Sequence, residues 1–189
     1  MAEKFKVHIE AERFIHNELG SVAFHLMQLV HTKIAEDDKE GIGLLMIACL
    51  TFFAFEVEAQ VNFVGWKVFG DDWKEREKLE RKINILCAKL AMKNDWTERP
   101  LETIKRLKDL RDTLAHGKPE IVDEQKVVDV EPEVWDALES QWLETVTPEF
   151  VDQSNEDTKA LWHTMLKCAG IGVHETLTGG GHSLSKITH

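Results

Sequence analysis

A chain of 189 residues, 43% hydrophobic and 30% charged, is long enough to bury a core without metal or disulfide staples. Its net charge of -11 excludes a broad basic surface that tracks nucleic acid by electrostatics alone, so any such role needs a local cationic site. Three scattered cysteines, Cys49, Cys87 and Cys168, form no C-x-x-C pair, which excludes a disulfide framework or zinc knuckle and makes a reducing, cytoplasmic setting the expectation.

The N-terminal stretch "MAEKFKVHIEAERF" is charged throughout and reads as no signal peptide. Over residues 9–34, Ile15, Leu19, Val22, Leu26 and Leu29 recur at alternating steps of four and three, which predicts an amphipathic helix with that stripe inward. "EDDKEGIG" supplies a turn. The apolar run over residues 42–55 is shorter than the ~20 residues a membrane span needs. It continues into "EVEAQVN", so a central buried helix over 44–69 is expected, with Gly70 as its cap. A third helix over 73–92 turns Leu79, Ile83, Leu86 and Leu90 inward, with Asp71 and Asp72 at its start. Pro100 suits the first turn of a fourth, whose inner face is Leu101, Ile104, Leu107 and Leu114 and whose stop is Gly117 and Pro119.

Beyond that stop, valine-rich "EIVDEQKVVDVEP" breaks the helical period and reads as a short strand or hairpin. "EPEVWDALESQWLETV" predicts a further helix up to Pro148. "SNEDTKALWHTMLKCAG" predicts another that starts with Ser154 and Asp157 in capping-box spacing and ends at Gly170. The expected fold class is all-α: a core bundle of four helices over 1–120, a helical extension packed on it over 121–178, and a flexible tail over 179–189.

The chemistry concentrates in "RLKDLRDTLAHGKPE". Residues five apart on a straight helix diverge by ~140°, so Arg111 and His116 address one ligand only where Gly117 lets the last turn unwind. Asp112 and His116, four apart, share a face. A carboxylate there and the negative end of the helix dipole favour an imidazolium that donates a proton. Arginine beside such a histidine suits phosphate, because its fork matches two oxygens and stays charged. RNA transesterification needs only these groups and no metal or other cofactor. The plain alternative is that a histidine at a helix C-terminus merely suits the dipole, and one such pairing is expected by chance among six arginines and nine histidines.

"LRDTLAHGKP" resembles the signature of the HEPN superfamily, an arginine, a polar residue, a few positions and a histidine often followed by glycine. "FEVEAQVNF" is similar to the glutamate and asparagine, four apart, in an earlier helix of several HEPN families; here they are Glu58 and Asn62. The resemblance covers about residues 44–119. It implies an up-down helical bundle that forms a homodimer, with Arg111 and His116 as the catalytic pair at a shared cleft. Asp112 is implied as the polar neighbour, with Glu58 and Asn62 as supporting residues that orient or bind Arg111. The implied activity is that of a metal-independent endoribonuclease in a toxin–antitoxin, phage-defence or RNA-processing system, often beside a nucleotidyltransferase partner.

Two rival readings remain. A dimer of the same fold is a non-catalytic module for a nucleotide or protein partner, with Arg111 in a salt bridge. Alternatively, the C-terminal helices over 132–170 cover the cleft. The nine histidines lack the i, i+4 spacing of a helical zinc site. The six tryptophans, mostly on apolar stripes, read as core or interface packing.

Overall fold

A computed structural model describes residues 5–117 and 141–186. Strand β1 (Phe5–Glu12) is followed by helices α1 (Ile15–Ala35), α2 (Ile42–Phe69), α3 (Leu79–Leu90) and α4 (Leu101–His116). Helix α5 (Pro148–Ala169) and strand β2 (Gly179–Lys186) complete the described elements. The fold is mostly helical, with one small two-stranded sheet.

Helix α2 is the axis. It packs against α1, α3, α4 and α5, and its residues Cys49, Leu50, Phe53, Val57, Val61 and Val64 are buried on successive turns. Apolar residues lie on nearly every side of it, which is why they show little one-sided period. By length and composition alone it is the one helix among the described residues apolar enough to cross a bilayer. It nevertheless carries Glu56 and Glu58 and is flanked by four helices.

Helix α5 belongs to the same core. Phe150, Val151, Leu161, Met165 and Leu166 join one hydrophobic cluster with α1 to α4. A boundary near residue 120 therefore does not separate a core from an addition: five helices share one interior among the described residues. Helix α5 also begins earlier than expected. Thr147 caps it, its hydroxyl accepting from the Phe150 N–H at 3.1 Å, and Pro148 starts the helix instead of interrupting it. Ser154 and Asp157 are buried inside it. Gly170, at φ 68°, ends it as expected.

Helix α1 is turned from the expected face. His16, Ala23, Met27 and Val30 are buried, while Ile15, Val22 and Leu29 are exposed. Two apolar stripes lie side by side on this helix, and α2 covers the one offset by a single residue. Helix α3 starts at Leu79, not near Trp73, because Gly70–Asp72 form a separate 3-10 turn.

The tail expected to be flexible carries a strand over Gly179–Lys186. β2 pairs antiparallel with β1 from Phe5↔Lys186 to Glu12↔Gly179. The helix expected to reach back to residue 9 gives way there to strand, because "FKVHIEAE" alternates apolar and polar residues with period two. The ribbon is tied to α1: the Phe14 N–H donates to Thr178 Oγ1 at 3.1 Å, and Asn17 Nδ2 donates to the Thr176 carbonyl at 2.9 Å. The strand or hairpin expected in "EIVDEQKVVDVEP" lies outside the described residues. So does most of the helix expected in "EPEVWDALESQWLETV", whose described end, Gln141–Thr145, is a 3-10 turn.

Candidate active site

Glu58 and Asn62 lie one turn apart on α2, and Arg111 reaches Glu58 from α4. Arg111 follows Leu110 and sits one turn beyond Leu107, both buried, so it leaves α4 at the edge of the inner face. Its Nη2 donates to Glu58 Oε2 at 3.2 Å. Its Nε lies 3.3 Å from Asp112 Oδ1, close enough for charge attraction but without hydrogen-bond geometry. Glu58 thus contacts Arg111, whereas Asn62 is engaged elsewhere.

The group that joins them is Lys82 of α3, with a relative exposure of 0%. Its ammonium donates to Glu58 Oε1 at 2.9 Å, to Asn62 Oδ1 at 3.0 Å and to the Glu75 carbonyl at 3.0 Å. Three oxygens match its three donors, which is what a buried ammonium requires. Its signal in the sequence is positional: residue 82 falls between Leu79, Ile83 and Leu86 on the inner stripe of α3. Trp73 closes the other side. Its indole N–H donates to Asn62 Oδ1 at 3.3 Å, and its ring lies where a Cβ on Gly65 would come within 2.1 Å. Only glycine admits that approach.

Asp112 also pairs with Lys108, at 3.3 Å. Hydrogen bonds to Asp109 and then to Asp112 hold the Lys108 ammonium above the usual lysine range. No ion pair joins Asp112 to His116 among the described residues. His116 is exposed and is the last residue of α4; Gly117, at φ 39° and ψ 44°, provides the left-handed cap. The helix stays regular through His116, so Arg111 and His116 of one chain leave it ~140° apart. The unwinding that would bring them together does not occur.

Beside Glu58 and Asn62, towards α1, opens a cavity of about 520 Å³. Phe55 and Trp66 flank these two residues along α2, with Ile15 and Leu19 opposite. Trp66 is 50% exposed, the one exposed tryptophan among the described residues; Trp73, Trp96, Trp142 and Trp162 pack partly buried against the core. Arg111 and His116 do not line this cavity. The geometry therefore supplies a half-buried guanidinium held by two carboxylates, an exposed imidazole at a helix end, and an aromatic cleft on the far side of Glu58. No family model, curated protein or solved structure matches the chain.

Proposed function

We propose that the protein is a metal-independent endoribonuclease of the HEPN type, acting as a homodimer in the cytoplasm. The observation that carries this reading is the Glu58–Arg111 contact, which links the "EAQVN" and "RDTLAHG" segments in space. A guanidinium anchored by Glu58 and Asp112 is oriented in advance for a phosphate, so little freedom is lost on binding. The divergence of Arg111 and His116 within one chain favours a paired site, because a second copy of the helix end supplies the histidine that one chain aims elsewhere.

In the reaction, the ribose 2′-oxygen attacks the adjacent phosphorus and passes its proton to one His116. The bond from phosphorus to the 5′-oxygen breaks, and the other His116 protonates the leaving oxygen. Arg111 stabilises the charge on the non-bridging oxygens. The products are a 2′,3′-cyclic phosphate and a 5′-hydroxyl. Toxin, defence and RNA-processing settings, with an antitoxin or nucleotidyltransferase as partner, all accommodate this chemistry.

The test compares wild type with Arg111→Ala and His116→Ala on structured RNA in EDTA. Cleavage by wild type and its loss in both variants is the expected result; equal cleavage by all three removes the proposed site. The second reading, a non-catalytic dimeric module for a nucleotide or protein partner, is favoured by the engagement of Arg111 in ion pairs with Glu58 and Asp112. Saturable nucleotide or RNA binding without product at long times selects it.

A further inference from the structure

A second cavity, of about 420 Å³, lies where α1, α2 and α5 meet. Three residues lining it each carry a buried polar atom without a hydrogen-bond partner among the described residues: His16 Nε2, Gln60 Oε1 and Thr158 Oγ1. None of the three residues is more than 5% exposed. Buried polar atoms are nearly always paired, and three orphans from three helices around one cavity mark a place built for something else to pair with.

The chemistry of the orphans defines that partner. The amide nitrogen of Gln60 already donates to Glu56 Oε1 at 2.9 Å, so the leftover carbonyl oxygen can only accept. Burial lowers the affinity of the His16 ring for a second proton, so the neutral ring keeps one nitrogen as an acceptor. Glu56 adds a largely buried carboxyl group, and Thr158 a hydroxyl of either role. Gln60 and Glu56 thus put acceptors on the α2 wall, and Asn17, Ser21, Asn155, Lys159 and His163 complete the polar lining. The remaining wall is aromatic, with Phe24, Phe53 and Trp162, and the Lys159 ammonium already stands 5.6 Å from the Phe24 ring centroid. Rings of this kind attract cations through their negative faces.

We propose that this cavity binds a small organic cation rich in N–H donors, an amine, amidine or guanidinium, whose nitrogens meet Gln60 Oε1, His16 Nε2 and the Glu56 carboxylate while its body lies against the aromatic rings. The site is independent of the nuclease reading. Glu56 and Glu58, two residues apart, leave α2 ~200° from one another, and the two cavities share His16 in their walls.

The test titrates the full chain at pH 8 with benzamidine and benzylamine, and with benzoate and benzyl alcohol as anionic and neutral controls, by calorimetry. Saturable one-to-one binding of the cations and not of the controls is expected. Glu56→Gln and Thr158→Val weaken it by about tenfold or more, and Lys159→Met, which removes a like charge from the rim, strengthens it. The wild-type chain gives a check that needs no variant. Lowering the pH to 5.5 protonates Glu56, so cation binding weakens; His16, Lys159 and His163 are the other ionisable groups that face the cavity. Absence of saturable cation binding at pH 8, equal affinity for benzyl alcohol, or unchanged affinity in Glu56→Gln overturns the proposal and leaves a cavity that holds only water.

Discussion

Lys82 Nζ lies 2.9 Å from Glu58 Oε1, with the lysine side chain wholly enclosed. Glu58 therefore faces two cations, since its other oxygen meets Arg111. The position of Arg111 rests on a charge that never reaches solvent.

Replacing Lys82 by Met leaves Glu58 and Asn62 without their shared donor. A loss of about 3 kcal/mol is expected, the lower end for breaking a buried pair, because Glu58 retains Arg111 and some solvent. Urea unfolding measures it. Glu58→Gln combined with Lys82→Met should recover part of the loss, and strictly additive effects would show that the two residues are not coupled.

Burial pushes the Glu56 carboxyl from its ordinary 4.5 up to about 7, with Lys159 opposing the rise. Below pH 4.5 both folded and unfolded chains hold the proton, and Glu56 carries no penalty. As the pH rises to about 7 the unfolded chain gives up its proton first, so stability falls and stays low above that range. The full effect is on the order of 3 kcal/mol. Glu56→Gln should accordingly stabilise the protein at pH 8 and leave it unchanged at pH 4.5, as read by melting curves at the two values.

Asp157 joins α5 to the start of α4. Its Oδ2 accepts from Arg99 Nε at 2.7 Å and from Thr103 Oγ1 at 2.5 Å, and Gln153 donates to the same threonine at 2.7 Å. Asp157→Ala strands the buried Thr103 hydroxyl and should cost about 1–3 kcal/mol. Chemical denaturation tests this; a change below the error of the fit would mean that the Thr103 O–H finds another acceptor.

Gly65→Ala places a methyl group within 2.4 Å of three atoms of the Trp73 ring. Overpacking of this kind costs about 1–3 kcal/mol. The ring must swing away, and its bond to Asn62 breaks. Altered tryptophan emission together with lower stability is expected, and an unchanged spectrum would show that the backbone absorbs the methyl.

Much of this was legible in residue order, for reasons that differ by element. Helices α2 and α4 and the caps at Gly117 and Gly170 follow from apolar runs that end at a residue free to turn left-handed. The inner face of α1 was not legible, because adjacent apolar stripes compete and only the shape of α2 decides between them. The ribbon escaped because β2, "GGGHSLSK", has the composition of a loop and gains its order from β1 at the opposite end of the chain. At the site, the approach of Glu58 to Arg111 was implied by the family resemblance and not by spacing within the chain. Lys82 was overlooked because lysine is ordinarily read as a surface residue, although its place among Leu79, Ile83 and Leu86 marks it as internal.

The pairing of β1 with β2 also sets a timetable. Contacts between residues so remote along a polypeptide are slow to form, because a long loop must close before any reward is gained. On the ribosome the segment Phe5–Glu12 emerges early and waits without a mate until Gly179–Lys186 follows. A nascent chain halted before that point should hold its helices yet leave the first strand open to protease, and full protection should arrive only once Gly179–Lys186 has emerged.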